Sequence, residues 1–396
     1  MPFDTLALQP ADPLLKIIGA FRGDTRTSKI DLGVGVFRDD DGHTPVMRAV
    51  KLAEERLVRD QQSKSYLGTA GDTDFVDLLA EMVLADAVPA ERRYGLQTPG
   101  GTGALRLASE LLARAGVRRI WMAAPSWANH APVFEAAHVE PKSVDAFDIA
   151  AQSFDLVRFL EVLDTADPGD AVLLHGCCHN PMGIDPDPLG WEAIAEVIAR
   201  RGLLPLVDLA YQGLGDGFER DALGTRAVLA AVPFGLLAYS CDKNFGLYRE
   251  RVGALWVTAP DEERGAVAHS NLLALARANW SMPPDHGAAI VRVILEDADL
   301  TRIWREELDT VRERLAGLRR ALAAEGRIGA IDLTPIARGK GMFATLPLTR
   351  TQIDWLSSEH AIYLAGSGRI NIAGFDLPGI ARFCDALQAM DRAGIA

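Results

Sequence analysis

Residues that often act together in catalysis follow two short apolar runs of this chain. The run LLPLVD ends in Asp208, with Tyr211 just beyond it, and the run GLLAYS ends in Ser240, with Lys243 and Arg251 beyond it. A lysine can form a covalent imine or move a proton, and an arginine can hold phosphate or carboxylate through two parallel hydrogen bonds. Taken alone, Asp208 could cap a turn and Lys243 could lie in solvent. Together they form a rare combination.

The elements that would position these residues alternate along the chain. Between about residues 46 and 300, helical periodicity recurs in VMRAVKLAEERLV, FVDLLAEMVLADA and GALRLASELLARAG, and Gly116 is a candidate C-cap for the last. Runs that are apolar throughout lie between the helices, which is typical of strands covered on both faces. These runs are RRIWMA, AVLLHG, LLPLVD, GLLAYS and GALWVTA. The pattern predicts an α/β fold with a mostly parallel sheet flanked by helices, and ligands beyond the carboxyl ends of its strands.

After residue 300 the alternation of helices and apolar runs gives way to a long, charged segment. A long amphipathic helix, LTRIWREELDTVRERLAGLRRALAAEG, is followed by short β-type and helical segments. At ~150 residues per domain, a chain of 396 residues favours one large domain and a smaller companion. We expect a large domain over residues 46–308 and a small α+β domain made of residues 1–45 and 309–396.

Nine ordered segments between about residues 30 and 375 resemble one family, the class I pyridoxal-phosphate-dependent aminotransferases, in the aspartate and aromatic amino acid branch. They are LGVGVFRDDDGHTPV, YLGTAGD, TPGGTGALR, PSWANH, HGCCHNPMG, DLAYQG, SCDKNFGLYRERVG, SMPPDHGA and SGRINIAG. The resemblance implies the fold type I architecture with pyridoxal 5'-phosphate as cofactor. It also implies a ping-pong transamination between an L-amino acid, aspartate or aromatic, and 2-oxoglutarate.

The resemblance assigns residues to each part of that cofactor. Lys243 would form the Schiff base and then move the substrate proton, and Asp208 would keep the ring nitrogen protonated. Tyr211 and Asn180 would hydrogen-bond the phenolic oxygen, and Trp127 would stack on the ring, although a tryptophan more often packs in a core.

The phosphate would lie in a cup formed by Gly101, Thr102, Ser240 and Arg251. Gly101 and Thr102 open a helix, whose free amides attract anions. The sequence GGTG alone could equally be a dinucleotide-binding turn or a tight turn, but no GxGxxG is present. By resemblance, Tyr66 would reach the phosphate bound by the partner subunit.

Two arginines would select the substrate, because a planar guanidinium pairs well with carboxylate. Arg369 would bind the α-carboxylate beside Trp127 and Asn180, and Arg277 would reach the distal carboxylate from the partner subunit. A homodimer with shared sites follows. Gly35 would let the N-terminal segment approach the substrate closely, although a plain turn glycine is nearly as good an interpretation.

Three positions depart from the family pattern. Asp242 stands before Lys243 where a small residue such as serine is usual, and its charge would repel a phosphate unless it points away or pairs with a cation. Met182 replaces a threonine. Met282 replaces an asparagine of the aspartate-specific enzymes, and a flexible apolar side chain there predicts a roomier site that accepts both dicarboxylic and aromatic substrates.

Three alternatives to transamination by this family are a metal site, another reaction on the same scaffold and a non-catalytic binding module. His175, Cys177, Cys178 and His179 suggest a metal site, but we expect none, because adjacent cysteines do not easily face one tetrahedral ion and strand alternation would separate them. The same scaffold could instead catalyse β-elimination or decarboxylation. A non-catalytic binding module is disfavoured because Lys243 is present.

Composition narrows the partners and the location. With 41 Lys and Arg against 54 Asp and Glu, the net charge of −13 disfavours nucleic acid. No apolar run is long enough for a membrane span. Asp4 and Asp12 within the N-terminal segment argue against a signal peptide, and four cysteines including an adjacent pair favour reduced thiols. We therefore expect a cytoplasmic protein.

Overall fold

A seven-stranded sheet forms the centre of the fold in the computed structural model, which describes residues 2–9 and 13–395. In chain order the strands are β1 (Arg93–Pro99), β2 (Arg119–Ala124), β3 (Glu140–Asp145), β4 (Ala171–His175), β5 (Leu204–Leu209), β6 (Gly235–Ser240) and β7 (Val252–Thr258). They lie side by side in the order β1-β7-β6-β5-β4-β2-β3. Only β7 runs against its neighbours. The predicted α/β class with a mostly parallel sheet is confirmed.

Both faces of this sheet are buried, as the apolar runs predicted. Successive residues of a strand point to opposite faces, so Leu173 and Leu206 join one hydrophobic cluster while Val172 and Val207 join another. Two separate cores therefore sandwich the sheet.

The two strands that the apolar-run criterion did not identify are the edges of the sheet. β1 has the sequence RYGLQTP and β3 has EPKSVD. An edge strand has a neighbour on one side only and is less completely covered, so it does not need an unbroken apolar run.

Helices cover the sheet and continue into the C-terminal part. They are α1 (Pro13–Gly23), α2 (Arg48–Asp60), α3 (Thr73–Leu84), α4 (Gly100–Arg114), α5 (His130–Glu135), α6 (Leu156–Leu163), α7 (Pro188–Arg201), α8 (Leu223–Ala231), α9 (Glu262–Asn279), α10 (His286–Glu296), α11 (Ala298–Ala324), α12 (Arg350–His360) and α13 (Leu377–Arg392). Gly116 lies just beyond the end of α4 with φ +87°, as expected of a C-terminal glycine. In the part of the chain that the structure describes, no helix is both long and apolar enough to cross a membrane.

Short strand pairs connect distant parts of the chain. Ile30–Asp31 pairs in parallel with Ile362–Tyr363, and Phe343–Thr345 pairs antiparallel with Arg369–Asn371. Two local antiparallel pairs are Phe147–Asp148 with Ser153–Phe154 and Arg327–Ile328 with Ile331–Asp332. The first pairing is the kind of link that a small domain built from both ends of the chain requires. The division at residues 45 and 308 stays a prediction, and residues 1, 10–12 and 396, with the Asp12 used above, lie outside the described residues.

Candidate active site

A cavity of about 240 Å³ opens at the carboxyl ends of the parallel strands and brings together most of the predicted site residues. Eleven of the thirteen line it: Gly35, Gly101, Thr102, Trp127, Asn180, Asp208, Tyr211, Ser240, Lys243, Arg251 and Arg369. Tyr66 and Arg277 do not. The position agrees with the rule that parallel α/β sheets bind ligands at this edge.

The reversed strand β7 explains how the predicted phosphate cup assembles. Because β7 runs against its neighbours, it begins where β1 and β6 end, with Val252 opposite Pro99 and Gly253 opposite Ser240. Arg251, directly before β7, therefore meets the turn that opens α4. A Cβ atom on Gly100, which has φ +70°, would lie 2.6 Å from Nη2 of Arg251. Glycine adopts this φ without the strain that a side chain would bring.

The first turn of α4 contributes backbone donors to the same place. The leading amides of an α-helix have no intrahelical acceptor, so they attract an anion. A Cβ on Gly101 would lie 2.9 Å from the Cβ of Ser240, which shows how closely the Ser240 side chain approaches this helix start. These donors and the Arg251 guanidinium form a cup suited to a phosphate.

Asp242 enters the same cup and settles the question raised by its unusual position. Its Oδ2 accepts a hydrogen bond from Nη1 of Arg251, and its Oδ1 accepts one from the backbone of Val252 at 3.3 Å. The carboxylate thus pairs with a cation, but it does not point away, and its charge stays beside the start of α4.

Asp208 is held by a histidine that the sequence analysis did not single out. His130 Nε2 lies 2.9 Å from Oδ2 of Asp208, and His130 Nδ1 lies 2.9 Å from Oγ of Ser126. The Ser126 hydroxyl continues the chain to Nε2 of His175 at 3.0 Å. His130 occurs in the quoted segment PSWANH, but no spacing rule connects it to an aspartate 78 residues later in the chain.

The surroundings of Asp208 favour its charged form. Its side chain is 11% exposed. Burial alone raises the pKa of Asp208, but the hydrogen bond from His130 and the charge of Lys243 are among the effects that outweigh it, so the pKa lies below its ordinary value. Among the described residues, no hydrogen-bond donor contacts Oδ1, and this oxygen is available to a ligand.

Lys243 lies in the turn that follows β6, with Nζ 5.3 Å from the centre of the Tyr211 ring. Burial lowers the pKa of Lys243, and the charge of Arg251 acts in the same direction. Asp242 and Asp208 oppose this shift without cancelling it. The amine is therefore easier to deprotonate than a lysine in water, as a nucleophile or base requires.

A hydrogen-bonded row connects Lys243's neighbour Tyr211 to the arginine of the C-terminal part. Asn180 Nδ2 donates to the Tyr211 hydroxyl at 3.4 Å, and Nη1 of Arg369 donates to Oδ1 of Asn180 at 3.4 Å. Burial raises the pKa of Tyr211, so its phenol stays protonated.

Arg369 is fixed on one side and unpaired on the other. Its Nη2 donates to the Gly33 carbonyl at 2.8 Å, and its guanidinium stacks 4.5 Å above the Phe343 ring, which the sequence analysis did not identify. Its buried Nε has no hydrogen-bond partner among the described residues. A buried donor without a partner is costly.

Two further cavity residues have neighbours that the sequence could not show. Trp127 is half-buried and meets His130 edge to face, with ring centres 5.1 Å apart, and it packs against one core cluster while also lining the cavity. A Cβ on Gly35 would lie 2.7 Å from Cζ of Phe343. A side chain at position 35 would force Phe343 to shift, and the approach of Gly35 to a substrate stays a prediction.

Tyr66 and Arg277 lie on the outside of the chain but belong to neighbouring segments. Tyr66 is 91% exposed. The backbone of Leu67 donates to Sδ of Met282 at 3.2 Å, and Arg277 donates to Oγ of Ser281. The Tyr66 segment and the Arg277 segment therefore share one surface.

The prediction that strand alternation separates Cys177 from Cys178 is wrong. β4 ends at His175, so strand alternation does not reach Cys178, whose φ is +52°. Both sulfur atoms and a carboxylate oxygen of Asp221 lie within 4.8 Å of one another. Asp221 already accepts hydrogen bonds from the backbones of Gly213, Gly215 and Asp216, and neither histidine of the predicted cluster belongs to the trio.

A larger cavity, of about 1020 Å³, lies at the opposite end of the parallel strands, where they begin. It includes Leu204 and Gly235, where β5 and β6 begin. Arg119 on its wall is paired with Asp167 and Asp170. It contains none of the predicted site residues, so the smaller cavity is the better candidate for the chemistry.

Known proteins resemble this chain over nearly its full length. The family described as aminotransferase class I and II matches residues 27–387. The chain is 52% identical to a tyrosine aminotransferase of Rhizobium meliloti (strain 1021), covering 94% of this chain and 96% of the relative. It is 40% identical to an aspartate aminotransferase of Escherichia coli (strain K12), covering 98% of this chain and 100% of the relative.

A solved structure is also similar over nearly the whole chain. It is an aromatic-amino-acid aminotransferase from Burkholderia pseudomallei covalently bound to pyridoxal phosphate, with a TM-score of 0.94 and 34% identity over 98% of this chain and 99% of that one. With a family match and relatives that span almost its full length, this chain belongs to the class I and II aminotransferase family.

Proposed function

We propose that this enzyme transfers an amino group between an L-amino acid and 2-oxoglutarate by a ping-pong mechanism, with pyridoxal 5'-phosphate as cofactor. The observation that carries the proposal is the meeting of Lys243, Asp208 and the Arg251 cup in one cavity. Each of the three groups answers a different requirement of the same cofactor.

The cavity fits this cofactor by its donors. Glycines at 100 and 101 let Arg251 and Ser240 approach the start of α4 closely, and that helix start and Arg251 suit a phosphate. Ser240 and Thr102 supply hydroxyl groups at the same end of the cavity. In the Burkholderia relative, pyridoxal phosphate is covalently bound.

When bound, pyridoxal phosphate supplies an electron sink for the bond being broken at the substrate carbon. Lys243 would hold the cofactor through Nζ and would carry the proton to and from that carbon. Asp208, ionised and supported by His130, would keep the ring nitrogen protonated through Oδ1. Asn180 and the protonated Tyr211 would hydrogen-bond the phenolic oxygen, and Trp127 would cover the ring.

Arg369 binds the α-carboxylate of the substrate. Its position in the cavity lining supports this role, as does Phe343, which holds the guanidinium plane in a fixed orientation.

A second copy of the chain completes each site. Tyr66 and Arg277 lie outside the cavity of their own chain and on a common surface, from which both can reach a neighbouring molecule. Tyr66 contributes to the partner's phosphate cup and Arg277 to its distal-carboxylate site. A cytoplasmic location is part of the same proposal, supported by four buried cysteines that form no disulfides.

A subunit-mixing experiment tests the shared sites. A homodimer of the Lys243→Ala variant should transaminate aspartate poorly, and so should a homodimer of the Arg277→Ala variant. A mixed dimer should recover activity, because one of its two sites then has both residues intact. Mixtures that recover nothing, although hybrid dimers form, would contradict the sharing.

The substrate class we propose is dual, dicarboxylic and aromatic. Relatives named tyrosine aminotransferase and aspartate aminotransferase both match nearly the full chain. Met282 offers an apolar, flexible surface where an amide would favour carboxylates. Steady-state assays with 2-oxoglutarate should show turnover of aspartate, phenylalanine and tyrosine, and Met282→Asn should shift the kcat/KM ratio towards aspartate. Good turnover of aspartate with none of the aromatic amino acids would refute dual specificity.

The visible spectrum tests the enzyme assignment. Purified protein with pyridoxal phosphate should show an absorption band that changes on adding aspartate or glutamate. Protein that gains no band would refute the proposed cofactor. Release of ammonia with a keto acid, or of CO2 with an amine, without transfer to 2-oxoglutarate would favour elimination or decarboxylation.

A further inference from the structure

The phosphate cup contains an anion of its own. The Asp242 side chain is 4% exposed and lines the cavity. One carboxylate oxygen accepts a hydrogen bond from Arg251 and the other from the Val252 backbone. The Asp242 backbone in turn donates to Oγ of Ser240 at 3.3 Å. Asp242 is thus connected to two of the residues that would hold the phosphate.

This ion pair lies against the start of α4. A Cβ on Gly100 would be 2.6 Å from Nη2 of Arg251 and 3.4 Å from Oδ2 of Asp242. The positive end of the helix and the guanidinium make this the place where an anion is most favourable. Asp242 already supplies a negative charge there.

With a phosphate bound, one guanidinium would serve two anions. Nη1 of Arg251 is engaged by Asp242 and by the Tyr248 carbonyl at 3.0 Å, which leaves the Nη2 side for a phosphate. The carboxylate would repel that phosphate, and because the Asp242 side chain is only 4% exposed, water screens its charge poorly.

We propose that the Asp242 carboxylate competes with phosphate for Arg251, lowers the affinity of the cup for phosphate, and so lets bound cofactor exchange with free cofactor. The inference rests on the proposed function. It differs from a positioning role for Asp242, in which the carboxylate would strengthen binding by orienting Arg251.

Affinity measurements on cofactor-free protein separate the two roles. Asp242→Asn keeps an oxygen that can accept from Arg251 but removes the charge, and Asp242→Ser is a second variant in case the first does not fold. Inorganic phosphate and pyridoxal phosphate are titrated calorimetrically, and the release rate of pyridoxamine phosphate is followed by its fluorescence. Asp354→Asn is the matched control, because it removes the same charge from an exposed pair with Arg350.

We expect both Asp242 variants to bind inorganic phosphate on the order of tenfold more tightly and to release pyridoxamine phosphate more slowly, while the control is unchanged. Equal or weaker phosphate binding by folded Asp242→Asn would overturn the inference in favour of positioning. Absence of a pyridoxal phosphate band in the unaltered protein would instead refute the proposed function. Inorganic phosphate does not depend on Lys243, so the two failures are distinguishable.

Discussion

Replacing Asp208 by asparagine removes one charge from the centre of the site and almost nothing else. Asparagine has the same shape, and its oxygen can still accept the hydrogen bond that His130 makes at 2.9 Å. The ring nitrogen of the cofactor would lose its anionic partner. Because the Asp208 side chain is only 11% exposed, water cannot replace that partner efficiently.

The expected cost follows from this burial. Removing one preorganised electrostatic partner from an active site costs about 2.7–4 kcal/mol, which is ~10²–10³-fold in rate. The assay is a single-turnover half-reaction with aspartate, monitored through cofactor absorbance, so that binding and product release do not mask the chemical step.

Asp170→Asn is the control for this substitution. Asp170 is also buried, at 5% exposure, and accepts hydrogen bonds from Arg119 and Trp121 at the other edge of the sheet. This variant should lose stability and keep its half-reaction rate. If Asp208→Asn reacts within about threefold of the unaltered enzyme, the electrostatic role assigned to Asp208 is refuted.

Two further predictions concern substrate binding and acid stability. Arg369→Lys keeps the charge but loses the planar fork and the stacking on Phe343, so KM for the amino donor should rise about 10–100-fold, measured by steady-state kinetics, whereas an unchanged KM would contradict the α-carboxylate role. His179 is buried with no hydrogen-bond partner for either ring nitrogen among the described residues, and burial holds its pKa well below the ordinary value. Below about pH 6.5 the unfolded chain therefore binds a proton at this histidine that the folded chain does not. As the pH is lowered through this range, the free energy of unfolding decreases by about 1.4 kcal/mol per pH unit because of this group. His179→Phe should remove that share of the slope in denaturant unfolding between pH 7.5 and 5, and an unchanged slope would show that His179 is not the source.

The sequence predicted those parts of the fold that depend on local pattern. Five buried strands were visible as apolar runs, and their carboxyl ends correctly located Asp208 and Lys243 at one edge. The direction of β7 was not visible, because an apolar run has the same appearance in either orientation. Yet that reversal is what brings Arg251 to the start of α4.

Contacts between distant segments were beyond a pattern-based prediction. His130 supports Asp208, and Phe343 stacks on Arg369, through tertiary packing alone. The two edge strands were missed because their residues are mixed in polarity. Conversely, the unusual Asp242 was noticed in the sequence, but its pairing with Arg251 needed the structure.

In the proposed function, Lys243 is the residue that holds the cofactor in this cavity. The most direct test is borohydride reduction of the protein loaded with pyridoxal phosphate, followed by peptide mass mapping. We expect a stable phosphopyridoxyl group on the peptide that contains Lys243, and its loss when excess aspartate is added before reduction. Labelling of other lysines with none on Lys243, or labelling that aspartate does not prevent, would contradict the account.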